Sequence, residues 1–211
     1  MSGAGAGAGF RRRRGTSYVV VAMTTDSYDV AADLPALGLV VDEDRGSLPY
    51  ALVHGEALVA AAAWALGEAG VTPVDTGIPW SSLVAAGEPL VLHDALCPMT
   101  PPDFIAGCLE HAVAHACVVV GVRPVTDTVK VVEDGLVGST VDRAGLVAIA
   151  SPVVLPADVV AALDGPPTTD PVALVADLRR RFPVELVEAP PSARRVGSEE
   201  DLRVLEALTS A

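Results

Sequence analysis

Residues 89–122 constrain the fold more than any other stretch of the chain. Pro89-Leu90-Val91-Leu92 is a short apolar run that ends in His93-Asp94. Pro101-Pro102-Asp103 then opens a helix that carries Phe104, Ile105, Cys108, Leu109, Ala112, Val113 and Ala116 at helical spacing. Cys117 to Val122 is a second apolar run. A strand, a helix and a strand in this order make a parallel crossover unit. Neither run alternates with polar residues, which is the pattern of a sheet buried on both faces. Aromatic residues are only 4% of the chain, so the core must be built from Val, Leu, Ile and Ala.

The rest of the chain extends this unit. Tyr18 to Met23 reads as the first strand, and Leu37 to Val41 as a weak one. Pro49 to Leu66 reads as a helix, with Leu52, Val53, Leu58, Val59, Ala62, Ala63 and Leu66 on a broad apolar face. Residues 67–88 read as loop with one short helical turn. Between Pro124 and Arg143 the pattern changes: Val125, Asp127, Val129 and Val131 alternate, then Asp134-Gly135 separates them from Leu136 to Val141. An Asp-Gly pair between two β-prone runs signals a hairpin. A strand follows at Leu146 to Ala150 and a helix at about 157–163. Another helix spans 170–181 behind Asp170-Pro171, then a strand covers Val184 to Glu188. A last helix begins near Ser198, where Ser198-Glu199-Glu200-Asp201 is capping-box-like. The expected fold class is α/β: a three-layer, Rossmann-like sandwich with a protruding β-arm at about 124–143. Residues 17–211 are expected to form one domain behind a Gly/Arg-rich tail, residues 1–16.

Charge narrows the function. The chain has a formal net charge of −13, with one lysine, Lys130, and four of its arginines together at Arg11 to Arg14. Such a surface repels nucleic-acid phosphates and anionic lipid, so neither nucleic acid nor membrane is expected as a partner. The apolar run at Tyr18 to Met23 is too short for a membrane span. Three cysteines without metal-ligand spacing fit a reducing cytoplasm. His111 and His115 stand four residues apart on one helix, a spacing that suits a metal pair. No third ligand is near in sequence, and they read as a helix face.

Four segments carry a resemblance. They are Val91-Leu92-His93-Asp94-Ala95-Leu96-Cys97-Pro98, Pro124-Val125-Thr126-Asp127-Thr128-Val129-Lys130, Thr140-Val141-Asp142-Arg143-Ala144-Gly145-Leu146 with Ser151-Pro152 beyond it, and Arg195-Val196-Gly197-Ser198-Glu199-Glu200-Asp201-Leu202. In this order and spacing the chain resembles the 2-C-methyl-D-erythritol 4-phosphate cytidylyltransferases of non-mevalonate isoprenoid biosynthesis. The resemblance implies a nucleotidyltransferase-like fold, CTP and a phosphorylated polyol as substrates, Mg²⁺ as cofactor and a homodimer joined through the β-arm. It implies that Asp94 is catalytic and binds the metal, and that Arg195 lies close to the substrates. Thr128, Lys130, Arg143 and Ser151 would contact the polyol phosphate. Read by residue type alone, Asp94 either serves a ligand or caps a strand end. Lys130, Arg143 and Arg195 either meet an anion or are solvated, and Ser151 either donates to substrate or makes a turn.

The nucleotide half departs from the family pattern. The Gly-rich loop expected after the first strand is missing behind Met23, where Thr24-Thr25-Asp26 follows. The pair that carries the family's catalytic lysine aligns with Leu48-Pro49, and Arg45 is the nearest cation. Cys97 replaces a motif arginine, and Pro190-Pro191-Ser192 replaces a second metal-binding carboxylate. The expectation is a cytidylyltransferase impaired or altered in catalysis. The alternative is a non-catalytic homodimeric pseudoenzyme that binds a phosphorylated polyol or regulates a paralogue.

Overall fold

The computed structural model of the chain describes residues 20–21, 34–126, 130–133, 136–140 and 142–210. A seven-stranded sheet forms its centre. The strands are β1 (Val20–Val21), β2 (Leu37–Val41), β5 (Thr72–Pro73), β6 (Leu90–Asp94), β7 (Val118–Pro124), β10 (Val147–Leu155) and β11 (Val184–Glu188). Their order is β1-β11-β7-β10-β6-β2-β5. All pairings are parallel except those of β10, which runs antiparallel to both β6 and β7. Helix α3 (Pro102–His115) joins β6 to β7, as the sequence pattern requires. The crossover skips one position, and β10 fills it.

Helices cover both faces. Leu66 of α1 (Leu58–Glu68) and Ile105, Cys108, Leu109 and Ala112 of α3 pack on Val91, Val119, Val154 and Val187. On the other face, Leu83 of α2 (Trp80–Ala86), Val159 and Val160 of α4 (Ala157–Ala162) and Leu174, Val175 and Leu178 of α5 (Pro171–Arg181) pack on Leu90, Leu92, Val118, Val120 and Leu186. The three-layer α/β reading therefore holds. The last helix, α6 (Glu199–Thr209), starts as expected: the Ser198 hydroxyl accepts from the Asp201 N–H. Its Leu205 packs with Leu58, Leu96 and Val196.

Two expectations need correction. The helix read over Pro49 to Leu66 begins only at Leu58. Before it, β3 (Leu52–Val53) and β4 (Glu56–Ala57) form a small antiparallel ladder. His54 and Gly55 turn it with φ of 50° and 86°, a left-handed geometry that stops a helix. The strand read at Leu146 to Ala150 continues to Leu155 as β10. The hairpin is present as β8 (Lys130–Glu133) and β9 (Leu136–Thr140), a two-stranded sheet separate from the main one. The tail and the Asp134-Gly135 turn lie outside the described residues, as does the strand read at Tyr18 to Met23 apart from Val20–Val21.

The register of β10 against β7 shifts between Ile149 and Val153, and Ser151-Pro152 sits in that irregularity with a cis peptide bond. The backbone here leans onto β7. A Cβ on Gly121 would stand 2.7 Å from the Ser151 carbonyl oxygen and 2.9 Å from its carbon. Backbone cannot step aside as a side chain can, so this position is restricted to glycine. Gly121→Ala is expected to lower the unfolding free energy by about 1–3 kcal/mol, the usual cost of overpacking. Urea denaturation measures it, and an unchanged midpoint would refute the contact.

Candidate active site

The strand beside β6 is β2, paired in parallel from Leu37↔Leu90 to Val41↔Asp94. This relocates the loop that faces Asp94. The sequence reading sought it after Met23, but the segment that leaves the neighbouring strand is Asp42-Glu43-Asp44-Arg45-Gly46. Asp44 and Gly46 take φ of 59° and 61° and turn the loop around Arg45. The strand is weakly patterned because Gly38 interrupts its apolar run. A Cβ there would meet Val71 Cγ1 at 2.7 Å and Leu66 Cδ1 at 3.1 Å, so the gap admits the helix layer.

Asp94 closes β6 at the carboxyl end of the strand, the edge at which ligands bind in open α/β sheets. Its carboxylate is fully engaged. Oδ1 accepts from the Leu96 N–H at 2.9 Å and from Arg45 Nε at 3.3 Å. Oδ2 accepts from Arg195 Nε at 3.0 Å and lies 3.3 Å from Arg45 Nη2. These four contacts fill the acceptor capacity of one carboxylate. The arrangement suits a pair of guanidinium groups; with both oxygens taken and no second carboxylate in contact among the described residues, it does not fit Mg²⁺.

Each arginine is held from elsewhere. The Arg45 side chain is only 6% exposed, against 33% for Arg195. Arg45 Nη2 also donates to the Thr169 carbonyl at 2.7 Å, in the loop before α5. The Thr169 hydroxyl donates to Asp44 at 2.9 Å, so the two loops clasp one another. Arg195 is carried by a segment pinned to the Asp94 turn: the Val196 N–H donates to the Leu96 carbonyl at 2.7 Å, and Val196 is buried. Arg45 and Asp94 line a cavity of about 130 Å³ together with Leu39, Leu92, Val153, Leu174 and Trp80; Arg195 is not among its lining residues.

Beneath the clamp lies a second polar layer. The Ser151 hydroxyl accepts from the Asp94 N–H at 3.1 Å and lies 2.5 Å from His93 Nδ1. We assign the Nε2–H tautomer to His93, with Ser151 donating to Nδ1, because the other tautomer would also orphan the hydroxyl proton. His93 Nε2 is buried and has no hydrogen-bond partner among the described residues. Burial pushes the His93 pKa down to about 4, opposed in part by the Asp94 charge. Cys97, where the motif has an arginine, is fully buried. Its thiol is pushed far above the usual range by burial first and the Asp94 charge second, so it stays neutral.

The structure brings together Asp94, Arg195 and Ser151 among the residues singled out by sequence, and adds Arg45. Ser151 lines the cavity, yet both of its bonds run to the protein. Lys130 is exposed on the arm, and Arg143 is exposed and donates Nη1 to the Thr126 carbonyl at the arm's base. Neither lines the cavity. Thr128 lies outside the described residues. Arg45 was within reach of sequence reasoning: it is one of the few cations, and it follows the apolar run that pairs with the Asp94 strand.

The His93 environment sets a pH dependence. Below pH 6.5 the unfolded chain takes up a proton that the folded chain refuses until about pH 4. The stability carried by neutral His93 is complete above pH 6.5, falls as the pH drops, and levels off below about 4. The loss amounts to ~3 kcal/mol over that window. It is expected as the difference between wild type and His93→Asn in denaturation curves taken from pH 7 to pH 4. Parallel curves for the two proteins would show that His93 is not held neutral.

The family comparison covers Asp94, Ser151 and Arg195 but not Arg45. The sequence pattern of the 2-C-methyl-D-erythritol 4-phosphate cytidylyltransferase family matches residues 81–210, more than half of the chain. The chain is 36% identical over 139 residues to the enzyme of that name from Symbiobacterium thermophilum, covering 61% of this chain and 58% of that one. It is 37% identical over 121 residues to the enzyme from Nocardia farcinica, covering 56% and 52%. It thus spans about half the length of the curated relatives it matches. The crystal structure of the Thermus thermophilus cytidylyltransferase is similar with a TM-score of 0.59 at 22% identity, over 81% of this chain and 96% of that one. A 4-diphosphocytidyl-2C-methyl-D-erythritol synthase structure reaches a TM-score of 0.62 at 19% identity, over 83% and 98%. These two likenesses concern the fold. On the sequence match, the chain belongs to the 2-C-methyl-D-erythritol 4-phosphate cytidylyltransferase family.

Proposed function

We propose that the chain transfers a cytidylyl group from CTP to a small polyol phosphate, at a rate well below that of an ordinary enzyme. The observation that carries this reading is the clamp of Arg45 and Arg195 on Asp94, of which Arg45 and Asp94 line the cavity. Two guanidinium groups turned toward one anion form a site for phosphoryl groups, which they bind in the same forked geometry as a carboxylate. In the reaction, an oxygen of the polyol phosphate attacks the α-phosphorus of CTP. The bond to the β-phosphate breaks, and pyrophosphate leaves with its electron pair. The side chains contribute position and positive charge where the phosphoryl oxygens crowd together. Asp94 holds both guanidiniums in place until phosphate takes them over.

Several observations support a slow reaction. The cavity is smaller than the ~300–1,000 Å³ usual for small-molecule sites. The loop that faces it carries Asp42, Glu43 and Asp44 beside Arg45, charges that oppose a triphosphate. Mg²⁺, which the family resemblance implies, does not fit the donors as arranged. A homodimer is part of this reading, with the β8–β9 arm of a second copy supplying Thr128, Lys130 and Arg143 to the polyol phosphate. So are one domain over residues 17–211 and a cytoplasmic location, which three free cysteines support. No helix among the described residues is long and apolar enough to cross a membrane.

A second reading is a non-catalytic homodimer that binds a polyol phosphate or regulates a paralogue. The saturation of Asp94 by its own arginines favours it. Pyrophosphate release from CTP with methylerythritol phosphate and Mg²⁺ separates the two. Turnover is expected at ~10² or more below the ~10 s⁻¹ of a median enzyme, and Arg45→Ala and Arg195→Ala are each expected to remove most of it. No pyrophosphate from any of the four common nucleoside triphosphates would overturn the first reading. A thermal shift with methylerythritol phosphate alone would then support the second.

A further inference from the structure

At the far end of the sheet from Asp94, three residues distant in sequence converge. His111 lies on the last turns of α3, Cys117 lies just before β7, and Glu185 lies on β11. One ligand atom from each, an imidazole nitrogen, the thiol sulfur and a carboxylate oxygen, all lie within 4.8 Å of one another. Among the described residues this is the one cluster of three such groups. Glu185 is out of place on its strand. Its neighbour Leu186 packs in one core layer, and Val187, on the same face as Glu185, packs against α3 in the other. Its carboxylate is only partly exposed, and His111 Nε2 stands 2.6 Å from it. The His115 ring stacks on His111 at 4.1 Å, and His115 Nδ1 lies 3.0 Å from the His111 carbonyl oxygen. That stacking steadies the imidazole.

We propose that His111, Cys117 and Glu185 form a Zn²⁺ site, separate from the Asp94 clamp, that ties the end of α3 to β11. One nitrogen, one sulfur and one oxygen are the donors that Zn²⁺ accepts in tetrahedral sites, at about 2.0–2.3 Å from the ion. Tetrahedral bonds of that length place ligand atoms roughly 3.3–3.7 Å apart. The His111–Glu185 contact must open by about 1 Å, and the others, none longer than 4.8 Å, close by at most about 1.5 Å. On binding, the thiol gives its proton to solvent and sulfur coordinates as thiolate. The three residues leave one tetrahedral position for a water, and the Glu185 side chain is 39% exposed. Thiolate and imidazole are poor ligands for Mg²⁺, so the site discriminates against the ion of nucleotide chemistry.

The test is titration of tag-free, EDTA-treated full chain with ZnCl₂ by calorimetry, with MgCl₂ as control. One Zn²⁺ per chain is expected, together with a rise in thermal midpoint, because an ion that binds only the folded state stabilises it. Cys117→Ser, His111→Ala and Glu185→Gln are each expected to weaken binding at least tenfold. His115→Ala is expected to weaken it less than His111→Ala does, since His115 stacks on a ligand without being one. Should a variant fail to fold, Co²⁺ added to the wild type reads the same site, through sulfur charge-transfer and tetrahedral d–d absorption. Binding no tighter than that of Mg²⁺ overturns the proposal. So does Zn²⁺ affinity that survives Cys117→Ser, or that falls with His115→Ala as far as with His111→Ala. The chain's other two histidines, His93 and His54, give little background: His93 is buried, and His54 is engaged with Thr209.

Discussion

The charge on Asp94 organises the functional end of this molecule. A carboxylate at the end of a fully buried strand is costly unless every acceptor site is filled, and here four donors fill it. The benefit is mutual. Arg45 is as deeply buried as Asp94, and a guanidinium stranded in that position would cost on the order of 3 kcal/mol or more. Three segments far apart in sequence, the loop after β2, the turn after β6 and the strand of chain before α6, meet at this one ion cluster. The loop before α5 joins them through Thr169. The clamp is therefore a structural joint that also brings two guanidinium groups together at the carboxyl edge of the sheet.

The layer below explains why Asp94 is placed so firmly. Its N–H is tied to Ser151, Ser151 is tied to His93, and the Ser151 backbone presses on Gly121. Each contact depends on the one before. The glycine lets β10 approach, the approach puts the hydroxyl under β6, and the hydroxyl fixes the N–H of Asp94. Ser151 hydrogen-bonds the backbone of the residue whose carboxylate lines the cavity. The cost of this arrangement is visible in His93, whose buried Nε2 finds no partner. A neutral imidazole in that place is tolerable, and a charged one is not.

Much of the fold was legible in the residues because apolar runs and cap signals agree with one another over β6, α3, β7, α5, β11 and α6. The failures have physical causes. Helix α1 was started too early because the ladder at Leu52 to Ala57 shares its apolar residues with a helical period, and only the left-handed turn at His54-Gly55 separates them. Strand β2 was underrated because Gly38, which a packing contact demands, breaks its pattern. That error moved the site loop to the wrong strand and left Arg45 as a bystander. Asp94 and Arg195 were legible because they stand in ordered motifs. Their pairing with Arg45 was not, since it joins residues 49 and 101 positions from Asp94. The zinc ligands were hidden for the same reason, with Glu185 lying 74 residues beyond His111.

The account rests on Arg45 exchanging its internal carboxylate for a phosphate. Calorimetric titration of CTP with Mg²⁺ into wild type and Arg45→Met reads that exchange without requiring turnover. Saturable binding by the wild type, weakened at least tenfold when the guanidinium is replaced by an apolar chain of similar length, is the predicted result. Equal affinity in the two proteins would mean that Arg45 belongs to the architecture alone and that the nucleotide, if bound at all, is held elsewhere.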